Sequence, residues 1–252
     1  MSGILYLLPA PLQAYDKENA ENSFLWEQIP AKALALLQSL PILIAESETT
    51  ALRLLSRLRT RGQMEALTLK ILNEHSTESD IPPLCDDLLA GKDCGFFSDA
   101  GVPCVADPGA ALVSAAHTRG IKVVPVAGPS SVLMGLIASG LDAQRFCFLG
   151  YLPQDRNGRS DAVKRLGSAV LKDGMTRIFI ETPYRNEAVW KDCLDYLPSD
   201  VSLAVGINIC GANEYIECKT VSAWRARPLK LAKAPAVFLV GRRASIRPAN
   251  TR

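Results

Sequence analysis

Two loops with residues suited to ligand binding follow short apolar segments in the middle of this sequence. Ser98–Gly109 (SDAGVPCVADPG) comes directly after the apolar run Cys94–Phe97, and Gly128–Ser131 (GPSS) comes after Ile121–Val126. Both runs have the length and the turn-rich flanks of buried strands. In an open α/β sheet, ligands bind where the carboxyl ends of strands meet such loops, so we expect the two loops to line one site.

The first loop combines small residues with a single carboxylate directly after the strand. Gly101 permits backbone conformations that other residues avoid, so the main chain can approach a ligand closely. This suits an adenosine-type ligand, with Asp99 accepting hydrogen bonds from ribose hydroxyls. The alternative is that Asp99 and Asp107 only cap turns and the helix that starts at Gly109.

The second loop leads into a helical pattern over Val132–Ser139, and Ser130 is a natural N-cap for that helix. Its hydroxyl and the free N–H groups beside it can serve either the helix or a ligand. The sequence contains no G-x-G-x-x-G and no P-loop, which argues against a dinucleotide enzyme and against an NTPase.

The elements that must position these loops alternate between strands and helices. Ile4–Leu8, Ile42–Ala45 and Leu67–Leu72 read as further strands, and a helix capped by Ser47 is predicted to end at Gly62. Such alternation predicts an α/β fold, with a largely parallel N-terminal sheet flanked by helices.

The composition changes after residue 150, and the polar stretch Leu152–Ser160 is predicted to be a linker or a mobile loop. We therefore predict an N-terminal α/β domain over 1–150 and a C-terminal mixed α+β domain over 151–252. The predicted elements of the second domain are strands at Arg177–Glu181, Val201–Asn208, Glu214–Val221 and Ala236–Val240, and a helix at Asn186–Leu197. A hairpin is expected at Ile209–Asn213.

Composition restricts the class of protein. The 252 residues carry a net charge of +2, and no apolar run is long enough to span a bilayer. Seven scattered cysteines without a C-x-x-C pair favour reduced thiols and a cytoplasmic location, and two histidines are too few for an ordinary histidine metal site. From Lys219 to Arg252 the chain has nine basic and no acidic residues, typical either of a phosphate-contacting segment or of a solvated tail.

Four segments together resemble the tetrapyrrole methylase superfamily. They are Ser98–Gly109, Val124–Ser131 (VPVAGPSS), Gly140–Pro153 (GLDAQRFCFLGYLP) and Glu181–Arg185 (ETPYR). The most similar branch is that of the bacterial methyltransferases that modify a cytidine ribose 2′-hydroxyl in small-subunit ribosomal RNA; Glu46–Leu55 and Asn73–His75 are similar to it as well.

The resemblance implies a two-domain homodimer that binds S-adenosylmethionine in a cleft between its domains. Carried over residue by residue, it implies a cofactor site made of Pro11, Asp99, Ala100, Gly101, Cys104, Ser130, Ser131 and Glu181. No metal is implied.

Removing the proton of a ribose hydroxyl calls for a positioned carboxylate. Glu46, Asp99 and Glu181 are the candidates, and Glu181 is favoured as the catalytic residue because Pro183 and Tyr184 make its turn rigid. Arg156 and Arg185 are candidates for binding RNA phosphate, the alternative for both being a surface ion pair.

Three departures from this branch are present, and the first of them is in the cofactor loop, where Val102 replaces the usual threonine. The turn after the first strand lacks the usual glycine and asparagine, and Val205–Asn208 stands where an acidic and basic segment is usual. Three functions are therefore considered: an RNA ribose 2′-O-methyltransferase, a methylase of a tetrapyrrole or other small molecule, and a non-catalytic protein that binds S-adenosylmethionine or RNA.

Overall fold

The computed structural model describes residues 2–12, 27–227 and 229–244. The polar segment 13–24, which the sequence predicts to be a loop, lies outside the described residues. The chain divides into two compact units, Met1–Ser130 and Ser131–Arg252. The predicted boundary between two domains after residue 150 stays a prediction, but residues 131–150 lie in the second compact unit. The reason is that the strand Phe146–Tyr151 pairs with Thr176–Glu181 and so belongs to the sheet of the second unit.

Unit 1 is a parallel α/β layer structure. Its strands are β1 (Ile4–Leu7), β2 (Ile42–Ala45), β3 (Thr68–Ile71), β4 (Cys94–Phe97) and β5 (Lys122–Pro125). Its helices are α1 (Ala31–Ser39), α2 (Glu48–Leu58), α3 (Arg61–Glu65), α4 (Ile81–Leu89) and α5 (Gly109–Thr118), with a 3₁₀ turn at Glu78–Asp80. Every strand pair is parallel, in the order β3-β2-β4-β1-β5, which confirms the predicted N-terminal sheet.

Helices cover both faces of this sheet, and alternate residues of each strand point to opposite faces. Leu43 and Phe97 pack with apolar side chains of α1 and α2, whereas Ile44 and Phe96 pack with those of α4 and α5. All residues of β2 and β4 are buried, which explains why these central strands read as continuous apolar runs.

The predicted cap of α2 is confirmed, because the Ser47 hydroxyl accepts a hydrogen bond from the Thr50 N–H at 3.3 Å. The predicted end of this helix at Gly62 is wrong. The helix ends at Leu58, and a capping box at Thr60 starts the separate helix α3, which contains Gly62.

Unit 2 contains a mixed sheet. Its strands are β6 (Phe146–Tyr151), β7 (Thr176–Glu181), β8 (Ser202–Ile207), β9 (Tyr215–Thr220) and β10 (Ala236–Gly241); its helices are α6 (Ser131–Ser139), α7 (Arg156–Asp173), α8 (Asn186–Tyr196) and α9 (Val221–Ala226). The strand order is β6-β7-β10-β8-β9. Only β6 and β7 pair in parallel, and β8 and β9 form the predicted hairpin, so the predicted mixed C-terminal fold is confirmed.

The prediction of a linker over Leu152–Ser160 is wrong, since α7 begins at Arg156. The Asp155 carboxylate caps the helix by accepting the Gly158 N–H at 2.7 Å, and Gly174 ends it with a φ of +70°. The segment reads as polar because the first turns of α7 bury Arg159 and Ser160 instead of apolar residues.

Candidate functional site

The carboxyl ends of the three strands β4, β1 and β5 are tied together by backbone hydrogen bonds. The Ala10 N–H donates to the Gly101 carbonyl at 2.9 Å, and the Gly101 N–H donates back to the Ala10 carbonyl at 3.0 Å. The Val102 N–H donates to the Pro129 carbonyl at 2.9 Å. The loops after these strands therefore form one continuous surface, and the predicted pairing of the two central loops is correct within unit 1.

Close packing explains the glycines of this surface. Gly101 has a φ of +72°, and a Cβ there would lie 3.0 Å from Leu12 Cδ2 and 3.1 Å from the Pro129 carbonyl oxygen. At Gly128, a Cβ would lie only 2.1 Å from Pro9 Cβ. Larger residues at either position would separate the loops.

Asp107 acts as a structural cap, which is the alternative that the sequence left open for it. Its carboxylate accepts the Cys104 N–H at 2.7 Å and the Gly109 N–H at 2.8 Å. These bonds hold Cys104 and Ala106 in left-handed conformations, with φ of 68° and 63°. Burial and then the Asp107 charge raise the pKa of the Cys104 thiol to about 12, so Cys104 is a neutral lining residue and not a nucleophile.

Asp99 and Glu46 form a pair at the ends of β4 and β2. The Asp99 N–H donates to Glu46 Oε2 at 3.3 Å, and the Asp99 carboxylate accepts hydrogen bonds from the Ser47 N–H and the Thr50 side chain. Asp99 is thus held by the first turn of α2 and remains exposed, as does Ala100 beside it.

Both carboxyls of this pair have raised pKa values. Although the residue as a whole is exposed, partial desolvation of its carboxyl raises the pKa of Asp99, opposed by the hydrogen bonds from Thr50 and Ser47. Burial also raises the pKa of Glu46, and the negative charges of Asp99, Asp107 and Glu74 raise it further. A carboxylate with a raised pKa accepts a proton more readily than an ordinary one.

The remaining predicted residues of the first site occupy the two loop ends. Pro11 is buried directly after Ala10, in the segment that is bonded to Gly101. Ser130 and Ser131 are half-buried and adjacent, Ser130 being the last residue of unit 1 and Ser131 the first of α6.

Glu181 and Arg185 form an ion pair inside unit 2. The Glu181 side chain is fully buried, and its Oε1 accepts the Thr182 N–H at 2.8 Å and the Thr182 hydroxyl at 3.3 Å. Its Oε2 lies 3.1 Å from Arg185 Nη2, yet it lacks a well-directed hydrogen bond. The same Nη2 donates to the carbonyls of Leu152 and Pro153 at 3.0 and 2.9 Å.

Arg185 is therefore used inside the protein, joining the turn after β7 to the turn after β6. Arg156, the other predicted phosphate-binding residue, is exposed at the first position of α7. Sequence reasoning missed the internal role of Arg185 and the contact between Asp99 and Thr50. The spacing Glu46-Ser47-x-x-Thr50 at a helix start was the only signal for the second of these.

The basic C-terminal segment is partly built into unit 2. Lys219 Nζ lies 2.7 Å from Glu217 Oε1 and 4.3 Å from the centre of the Trp224 ring. Arg225 donates to the carbonyls of Leu194 and Leu197. Arg247 and Arg252 lie outside the described residues, so the predicted phosphate contact of the tail stays a prediction.

Two kinds of feature are absent from the described ranges, 2–12, 27–227 and 229–244. These ranges contain no helix that is long and apolar enough to cross a membrane. Within the same ranges, no three histidine, cysteine, aspartate or glutamate side chains are grouped so that they could hold a metal ion.

Substitution of Arg185 and substitution of Arg156 should differ in their effect on the free energy of unfolding. Arg185→Gln leaves the buried Glu181 carboxylate without its cationic partner, so we expect a loss of about 3 kcal/mol in the free energy of unfolding. Arg156→Gln, the matched control at an exposed position, should change it by less than about 0.5 kcal/mol. Urea denaturation measures both, and equal effects would contradict the structural role of Arg185.

Comparison with known proteins identifies the family of this chain. The sequence matches the family described as Tetrapyrrole (Corrin/Porphyrin) Methylases over residues 25–223. The fold is similar to that of the methyltransferase CobJ, with a TM-score of 0.62, 14% sequence identity and 98% of each chain covered. At that identity the likeness concerns the fold alone.

Two curated relatives carry the name ribosomal RNA small subunit methyltransferase I. The protein of Vibrio cholerae is 29% identical over 240 residues, which cover 94% of this chain and 76% of the relative. The protein of Escherichia coli O157:H7 is 32% identical over 183 residues, covering 73% of this chain and only 57% of the relative. Because the family match spans most of the chain, the resemblance predicted from the motifs is confirmed, and the protein belongs to the tetrapyrrole methylase family.

Proposed function

We propose that this protein is an S-adenosylmethionine-dependent methyltransferase that methylates the ribose 2′-hydroxyl of a cytidine in small-subunit ribosomal RNA. One observation carries the proposal: the loops after β1, β4 and β5 are bonded into one surface, and the Asp99–Glu46 pair lies beside it. Membership of the methylase family and the names of the two relatives support the same activity.

The residues of this surface fit S-adenosylmethionine. The exposed Asp99 carboxylate suits ribose hydroxyls, and the small, exposed Ala100 leaves space beside it for the adenosyl group, while the buried Gly101 fixes the loop through its two backbone bonds to Ala10. The protonated Cys104 thiol adds no charge beside the adenosyl group. Bound there, the sulfonium of the cofactor would supply the methyl group. The contributions of Pro11, Ser130, Ser131 and Glu181 to this site remain predictions.

We propose Glu46 as the group that accepts the proton of the ribose hydroxyl, alongside the predicted candidate Glu181. Two observations support Glu46: it is only partly buried, and its pKa is raised. Glu181, by contrast, has a fully buried side chain. An acceptor hydroxyl must lie close to and in line with the methyl group, so water exclusion and orientation matter as much as basicity.

The family description also favours a second candidate, the methylation of a tetrapyrrole or a similar small molecule. We further propose that the protein forms a homodimer, as the resemblance implies. A cytoplasmic location is proposed as well, and it is consistent with all seven cysteines being free thiols.

The cofactor site can be tested with two alanine variants. Gly101→Ala forces a Cβ toward Leu12 and the Pro129 carbonyl, which should displace the loop and weaken S-adenosylmethionine binding at least about tenfold in calorimetry. Gly120→Ala is the matched control, because Gly120 has a similar φ of +67° and open space around it. The site is wrongly assigned if both folded variants bind like the wild type.

The substrate can be identified with radiolabelled S-adenosylmethionine. We expect label in the small-subunit RNA when the enzyme is incubated with assembled particles or precursor RNA, and loss of at least about 100-fold in rate for Glu46→Gln, which cannot accept a proton. Nuclease digestion then locates the methylated ribose. Label in porphyrinoid precursors and none in RNA would instead establish the small-molecule candidate.

The assembly can be tested by light scattering at micromolar concentration. A homodimer should give about twice the chain mass of 27.2 kDa. A monomer mass across the whole concentration range would contradict the proposed dimer without affecting the assignment of the cofactor site in unit 1.

A further inference from the structure

Tyr184 is the most exposed large apolar side chain among the described residues, with 92% of its surface accessible. Single exposed apolar residues are common, so exposure alone does not indicate a site. What distinguishes Tyr184 is the rigidity of the turn that carries it and the residues beside it.

Hydrogen bonds hold the backbone of this turn on both sides of Tyr184. Thr182 donates its N–H and its hydroxyl to the buried Glu181, and the Arg185 N–H donates to the Thr182 carbonyl at 3.0 Å. Helix α8 begins at the following residue, Asn186. The Tyr184 ring is therefore presented to solvent on a fixed base, and little conformational entropy is lost when it binds a partner.

A second exposed aromatic residue, Tyr151, directly precedes the segment that Arg185 contacts. The Arg185 guanidinium is bonded to the carbonyls of Leu152 and Pro153, which directly follow Tyr151. Tyr151 ends β6 opposite Ile180 of β7, and 51% of its surface is accessible. Two exposed aromatic side chains thus belong to two turns that one buried ion pair holds together.

One exposed cation lies close to these turns, Arg156 at the first position of α7, four residues after Leu152. Three carboxylates of this region have partners within unit 2: Asp155 caps α7, Glu187 accepts the Leu231 N–H at 2.9 Å, and Glu181 is paired with Arg185. Arg156 therefore offers a single cation to one phosphate, and the exposed aromatic rings are the main feature of this surface.

We propose that Tyr184 is a stacking platform for an unpaired nucleobase of the RNA substrate, with Tyr151 beside it and Arg156 contacting the adjacent phosphate. This inference rests on the proposed RNA methyltransferase function and names the part of unit 2 that binds the strand. Single-stranded RNA is recognised by stacking of splayed bases on aromatic rings, and stacking tolerates different bases because each has a π-face.

The test measures fluorescence anisotropy of a labelled single-stranded RNA of about 12 nucleotides, within the range that such sites cover. Tyr184→Ala and Tyr184→Leu should each weaken binding roughly 5- to 100-fold, whereas Tyr184→Phe, which keeps the ring, should bind within about twofold of the wild type. Leu171→Ala is the matched control, since Leu171 is an exposed apolar residue in the last turn of α7, away from these turns, and it should bind like the wild type.

Arg156→Gln supplies an independent readout of the phosphate contact. It should reduce the slope of log affinity against log salt by about 0.7, the value for one phosphate contact with a single strand. Tyr184→Ala should leave that slope unchanged, because stacking releases no counterions.

Several results would overturn the inference. Equal RNA affinity of Tyr184→Ala and wild type would do so, as would a Tyr184→Ala variant whose mass falls from dimer to monomer, because Tyr184 would then be a subunit contact. If the protein binds a porphyrinoid more tightly than RNA, and Tyr184→Ala weakens that binding, the Tyr184 ring serves the small-molecule substrate instead. If the wild type neither binds nor methylates RNA, the proposed function fails as well. If the wild type does both and Tyr184→Ala binds RNA with the same affinity, the inference alone fails.

Discussion

The hydrogen bonds that join Ala10, Gly101 and Pro129 are the constraint on which the candidate site of unit 1 depends. The three loops come from distant parts of the sequence and share no side-chain motif. Backbone pairing at their strand ends holds them at fixed separations, so that a Cβ at Gly128 would overlap Pro9 and a Cβ at Gly101 would press on Leu12 and the Pro129 carbonyl. The shape of the site therefore follows from main-chain geometry, and the side chains contribute chemistry to a surface that already exists.

Two carboxylates of that surface lie at the carboxyl ends of the neighbouring strands β2 and β4. Glu46 and Asp99 follow neighbouring parallel strands, so the topology brings two carboxylates together although they are far apart in sequence. The first turn of α2 offsets part of their repulsion by donating hydrogen bonds to Asp99. The helix dipole favours negative charge at the same place. Glu46 accepts the Asp99 N–H, which lowers its pKa, but burial and the negative charges of Asp99, Asp107 and Glu74 outweigh that bond and leave the pKa raised.

The strands of the two sheets could be predicted because they are apolar and short, as Ile42–Ala45 and Cys94–Phe97 illustrate. The loops after β4 and β5 could be recognised for the same reason, since each follows such a run. Helix α7 could not be predicted, because a buried charged residue interrupts its pattern of apolar residues. Arg159 is buried there through an ion pair with Asp192, 33 positions away. The hydrogen bonds of the Arg185 guanidinium could not be predicted either, because its carbonyl partners precede it by more than 30 residues.

The position of β1 in the middle of its sheet has a consequence for the order in which the protein can fold. β1 precedes the other strands of unit 1 in the chain, yet its partners are β4 and β5, which are synthesised last within this unit. During synthesis β1 must therefore remain unpaired, with apolar residues such as Leu5 accessible, until residues near 125 have emerged. Such non-local pairing is intrinsically slow. Cells that make this protein faster than unit 1 closes would accumulate chains open to aggregation or to chaperones.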